Sequence, residues 1–253
     1  RLYRRRQQQE RARAKQDAAI VALLEGRFGR ARQFADEVLA IPGSSGLSAL
    51  IGARAAITTR EFDVAEALLA RPDASVPSLA VPRLMLEAEM KLEQGQPLEA
   101  LGILGLLRKE AGSHTAAVRL ELRALQGAGR YAEIPPLVDQ LVKRKVYGVP
   151  EGEFVRAAAH AQELAARVLD GEGLRAYWAK LSDAEQRMPK IARAAAKSFI
   201  ALGGDREAAE LLARSLEREW NSDLVAVYAQ CRPAHGAPQL EQAERWLALH
   251  SGD

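Results

Sequence analysis

Five basic residues have the type and spacing to bind an anion. Arg119 and Arg123 stand four apart, as do Arg193 and Lys197, so each pair falls on one face of a helix. Arg54 holds the corresponding place in an earlier segment. Such a row would hold a carboxylate or an acidic peptide by charge-assisted hydrogen bonds. The same residues could equally be ordinary polar faces of amphipathic helices, and the sequence leaves both readings open. Cys231 and His235 are also four apart and could share a helix face as a soft-metal or haem-iron contact. Against this, Pro233 ends a helix between them, and cysteine at a small-residue position behaves as a buried apolar group. His114, His160 and His250 are scattered. No Gly-rich phosphate loop, HExxH pair or nucleophile elbow is present, because Gly43-Ser44-Ser45-Gly46 lacks the strand–turn–helix setting an elbow requires.

Charge is unevenly placed. Among the first fifteen residues, Arg1, Arg4, Arg5, Arg6, Arg11, Arg13 and Lys15 face Glu10 alone, giving +6. The chain total of +3 therefore leaves −3 for the rest. The arm at 1–15 reads as a membrane-proximal basic segment, a solvated helix extension or a nucleic-acid arm. The acidic body argues against a nucleic-acid-binding domain, so no nucleic acid is expected as a partner. One cysteine excludes an intramolecular disulfide. No run of eighteen apolar residues occurs, so no stretch of this sequence is expected to span a bilayer. The chain begins with Arg rather than Met, and residues in front of it are expected.

Hydrophobic residues make up 48% and aromatics 5%, and Ala and Leu carry the apolar content. With runs of β-branched residues almost absent, this is helix-forming composition and no sheet is expected. The stretch 188–220 reads as two amphipathic helices joined at Gly203-Gly204. Ala192, Ala195, Ala196 and Phe199 share one face of the first, and Ala208, Leu211, Leu212, Ser215 and Leu216 one face of the second. One such hairpin cannot bury its own apolar face and must stack on others, and the spacing is that of a tetratricopeptide repeat of about 34 residues. Earlier helices are expected at 1–25 and 31–40, the latter with Phe34, Val38 and Leu39 inward. Pro72, Pro77 and Pro82 bracket a connector. Small residues mark helix crossings at Gly52, Ala53, Ala65, Ala88 and Ala100, and Gly95 and Gly127–Gly129 mark turns. Pairs follow at 153–169 with 174–181, and from Asp223 onward. Trp178, Trp220 and Trp246 are read as anchors plugging seams between helices.

The expected fold is all-α, a right-handed α-α superhelix of tetratricopeptide-like helical hairpins. Residues 1–15 form a basic arm continuing into the first helix. Residues 16–253 form a solenoid of about seven helix pairs, the last truncated, with more chain expected beyond it. The first helix of each pair would line a concave groove, and the five cations would face it.

Several stretches carry a family resemblance: EGRFGRARQFADEVL, LIGARAAITTREFDVAEALLA, QLVKRKVYG, and then Trp178, LSDAEQRMP, Gly203, Ala208, Leu216, Trp220, LVAVY at 224–228 and QLEQAERWLALHSGD. On these the chain resembles the HemY-like membrane-anchored tetratricopeptide-repeat proteins of proteobacteria. The resemblance implies two N-terminal transmembrane helices, missing from this chain, and a cytoplasmic repeat domain at the bacterial inner membrane. It also implies an association with late haem and porphyrin synthesis, without catalytic activity. Partners would be other proteins, among them haem-pathway enzymes. Tyr131 stands where the family tends to carry Trp, so a contact there would differ. A flavin-dependent porphyrinogen oxidase has shared the HemY name, but this chain has no dinucleotide-binding fingerprint, and that activity is rejected. The implied function is a non-catalytic protein–protein interaction scaffold. The alternative is a tetrapyrrole-handling protein whose groove arginines pair with porphyrin propionates. A helical-repeat RNA binder would need basic repeats, which the −3 body does not supply.

Overall fold

The computed structural model describes residues 2–43, 45–232 and 237–250, with the backbone alone for 2–6, 237 and 238. Among the described residues there are fifteen α-helices, two 3-10 turns and no strand. The chain is all-α, and its helices pack in sequential pairs. No helix among them is long and apolar enough to cross a membrane.

The contacts divide the chain into two units, Arg1–Ala128 and Gly129–Asp253. The first unit contains α1 (Leu2–Leu24), α2 (Phe28–Leu39), α3 (Gly46–Thr58), α4 (Phe62–Leu69), α5 (Ala80–Glu93), α6 (Pro97–Ala111) and α7 (Thr115–Gly127). Small residues let these helices approach. Ala53, Ala56, Ala65, Ala88 and Ala100 are fully buried, and Gly52 leaves room for Leu68 and Ala35. On α2 the innermost residues are Ala31, Ala35 and Val38, while Phe34 and Leu39 are only half-buried. Close helix approach favours the alanines there and pushes the larger side chains to the seam. The proline-bracketed connector contains a 3-10 turn at Pro77–Leu79 and a bidentate Arg71–Asp73 pair, 3.0 Å at each contact. Pro82 sits in the first turn of α5, where its missing N–H costs nothing.

Eight described residues have a positive φ, and four of them, Gly26, Arg60, Gly95 and Gly129, follow α1, α3, α5 and α7 with φ between 62° and 75°. Their successive spacings of 34, 35 and 34 residues give the repeat period directly from the backbone.

The second unit contains a 3-10 turn at Tyr131–Glu133, then α8 (Ile134–Lys143), α9 (Val149–Ala166), α10 (Gly171–Lys180), α11 (Asp183–Gln186), α12 (Pro189–Ala201), α13 (Asp205–Arg218), α14 (Ser222–Tyr228) and α15 (Ala237–Leu249). Every inward residue expected on the 188–220 hairpin is buried: Ala192, Ala195, Ala196 and Phe199 on α12, and Ala208, Leu211, Leu212, Ser215 and Leu216 on α13. This hairpin forms the centre of the unit's core, and α12 packs on both α13 and α9. The helices expected on either side of the turn at Gly127–Gly129 fall in different units, α7 in the first and α8 in the second. The short α11 was not expected. Ser182 and Glu185 form a reciprocal capping box at its start, a pattern written in Ser-Asp-Ala-Glu.

Candidate functional site

The five candidate cations occupy different electrostatic settings. Arg54 on α3 is ion-paired with Glu89 on α5. Arg123 on α7 donates through Nη2 to Glu93 Oε1 on α5 at 3.0 Å. Glu93 is also met by Arg60, whose Nη2 donates to the Glu93 carbonyl at 3.1 Å. These contacts link residues 35, 30 and 33 apart, close to one repeat period. In the first unit, then, Arg54 and Arg123 belong to a charge-matched ladder between helices of neighbouring hairpins. Arg119 is exposed and makes no ion pair among the described residues.

Arg193 and Lys197 are brought together on α12, and Lys190 extends their row. Their spacing of i, i+3 and i+7 sets them along one helix face, spanning about 10 Å at 1.5 Å per residue. No Asp or Glu occurs anywhere in α12, Pro-Lys-Ile-Ala-Arg-Ala-Ala-Ala-Lys-Ser-Phe-Ile-Ala. The row edges a groove of ≈ 400 Å³ between α12 and α9, with a floor of Ala161, Ala165, Val168 and Ala194. The Ser198 hydroxyl, buried, donates to the Leu164 carbonyl at 3.0 Å and stitches the two helices together. Arg193 Nη1 lies 3.5 Å from Asp223 Oδ2, an exposed and therefore weak pair. Lys190 Nζ sits 4.3 Å from the centroid of the Phe154 ring, itself 66% exposed. Lys197 has no ion-pair partner among the described residues. Lys190 was absent from the sequence-derived set, although its place three residues before Arg193 carries the signal. Phe154, 36 residues away, carries none.

A second polar cluster is internal. His160 on α9 is 6% exposed. Its Nδ1 lies 2.8 Å from the Tyr177 hydroxyl on α10, and its Nε2 lies 3.4 Å from Glu185 Oε1 without making a hydrogen bond. Burial pushes the Tyr177 hydroxyl up to about 12, so it stays protonated and can donate to Nδ1. Burial also holds the His160 imidazole below its ordinary range, against the opposing pull of Glu185. Burial tends to raise Glu185, but hydrogen bonds from the Ser182 side chain and backbone outweigh it and leave the carboxyl below its usual range. On the same side of α9, Arg167 donates to Glu163 Oε1 through Nε at 2.8 Å, and the Ala132 N–H donates to Glu163 Oε2 at 3.2 Å.

Cys231 is buried, and burial raises its thiol to about 11, far from a reactive thiolate. His235 lies outside the described residues, so the Cys231–His235 contact has no geometry to report. Among the described residues no group of three His, Cys, Asp or Glu side chains could hold a metal ion. Trp246 is buried and meets Trp220 and Tyr228 edge to face at 6.1 and 4.8 Å, sealing α14 against α15. Trp178 is half-buried against the α12–α13 core. Both are packed as seam anchors.

No protein-family model matches the chain, and no curated protein matches it at a significant level.

Proposed function

We propose that the chain works by holding other proteins rather than by catalysis. In this reading its hairpins build a right-handed α-α superhelix of tetratricopeptide type, and the α9–α12 groove receives an acidic segment of a partner. The observation that carries the reading is the row Lys190, Arg193 and Lys197 on a helix without a carboxylate, beside a floor of small apolar side chains. A carboxylate arriving there gains charge-assisted hydrogen bonds, and at Lys197 it displaces no internal partner. The HemY-like resemblance extends the proposal. It makes the protein a scaffold at the bacterial inner membrane, its repeat domain cytoplasmic and its partners haem-pathway enzymes. The basic residues at 1–15 would then follow the transmembrane helices that the resemblance places before them.

The test is a fluorescence-anisotropy titration of a Glu-rich peptide and a neutral Gln-rich control. The expected result is that Lys190→Ala/Arg193→Ala/Lys197→Ala loses at least about tenfold in affinity for the acidic peptide, about 1.4 kcal/mol, with unchanged helicity. Equal affinity of the variant and the original chain contradicts the proposal.

One observation favours a second reading. Cations edging the apolar floor of Ala161, Ala165 and Val168 also suit a flat apolar ring with carboxylates at its rim, as in a porphyrin. A porphyrin titration followed by absorbance decides it. A spectral shift lost in the triple variant supports that reading, and no shift at micromolar protein rejects it.

A further inference from the structure

We infer that His160 is an acid-operated latch, which holds the α10–α11 segment against α9 near neutral pH and releases it in mildly acidic solution. Four apolar side chains anchor the segment between Gly171 and Gln186: Leu174 and Leu181, which are buried, and Tyr177 and Trp178, which are half-buried against the same core. Its other apolar side chains are exposed, the pattern of a segment that opens locally. The polar ties to α9 converge on one ring, with the Tyr177 hydroxyl of α10 at His160 Nδ1 and Glu185 of α11 beside Nε2. Two ties run the other way, to α13: Arg175–Glu207 at 3.0 Å, and Arg218 Nη1 donating to the Ala184 carbonyl at 3.3 Å. Both are exposed pairs of small energetic weight.

Glu185 on α11 and Tyr177 on α10 face the ring. Arg156 on α9 adds a repelling charge, which is in part answered by Asp139 of α8 at 3.4 Å. Glu163 of α9 and Arg167 at its C-terminal cap pair with each other at 2.7 Å and, with the Arg167 guanidinium over the Tyr177 ring at 5.3 Å, leave little net charge for the imidazole. Glu185 alone favours the imidazolium, and burial outweighs it. A proton therefore binds His160 more tightly when the segment is open and the ring meets water. The open form gains over the closed form as pH falls below the ordinary imidazole range, by at most tenfold per pH unit for one proton. Opening loosens the chain that runs from α10 through α11 into α12.

The experiment is amide hydrogen exchange on the full chain at pH 7.5 and 5.5, corrected for the intrinsic rate. Peptides covering 171–186 are expected to lose protection by several-fold to about tenfold at the lower pH, while those covering 205–218 do not. In His160→Gln the pH-dependence of 171–186 disappears. In Glu185→Gln, which removes the one favouring charge, it deepens. Undiminished protection of 171–186 at pH 5.5 in the unaltered chain overturns the proposal. So does the same pH-dependence in His160→Gln or a weaker one in Glu185→Gln. The last variant keeps the test decisive even where His160→Gln does not fold.

Discussion

Arg60 holds a left-handed backbone, φ 62°, at the turn position where Gly26 and Gly95 stand in the α1–α2 and α5–α6 hairpins. For a residue with a Cβ this conformation costs about 1–2 kcal/mol. Its compensations are the contacts to Glu93 and a cation–π approach to Phe62 at 5.4 Å, on a side chain 65% exposed. Glycine relieves the strain but enlarges the unfolded ensemble by roughly 0.5–1 kcal/mol. Arg60→Gly is therefore expected to stabilise the chain by about 0.5 kcal/mol, read as a higher urea midpoint with unchanged slope. A lower midpoint would mean that the Glu93 contacts outweigh the backbone. At this scale the sequence was only partly legible. Arg193 and Lys197 shared a face because local period dictates it. Glu89 and Glu93, which answer Arg54 and Arg123, lie 35 and 30 residues away, beyond the reach of any local spacing.

Helices were legible where their apolar faces were long and regular. The 188–220 hairpin reads correctly to the residue because Ala and Leu recur at the helical period and Gly203 ends the first helix with φ 75°. The interior face of α2 was less legible. Periodicity marks which side is inward but not how closely a neighbour approaches, and alanines displaced Phe34 and Leu39 from the centre. The short α11 was missed because four residues are too few to show a period, although its capping box was in plain view. Energetic weight at this scale follows burial. Leu212 on α13 is fully buried, and Leu212→Ala is expected to cost about 2–5 kcal/mol of unfolding free energy. Arg206 on the same helix makes only an exposed pair with Glu210, and Arg206→Ala is expected to change stability by less than about 0.5 kcal/mol. Comparable losses in the two variants would contradict the view that hairpin packing, and not surface charge, holds α12 and α13 together.

Across the whole molecule the net charge of +3 hides an arm of +6 and a body of −3. In that body several cations are spoken for by carboxylates about one repeat away, as at Arg54–Glu89, Arg123–Glu93 and Arg175–Glu207. The α12 row is answered more lightly: Arg193 meets Asp223 at 3.5 Å, and Lys197 has no ion-pair partner among the described residues. The proposed binding there would draw on charge, and so weaken with salt, and on a small apolar floor, and so not vanish. The measurement that tests this account most directly is a hydrogen-exchange footprint of the full chain with and without a saturating Glu-rich peptide. The account predicts added protection on α9 and α12, centred on 161–168 and 190–198. Protection confined to α3, α5 and α7, or none at saturating peptide, would contradict it.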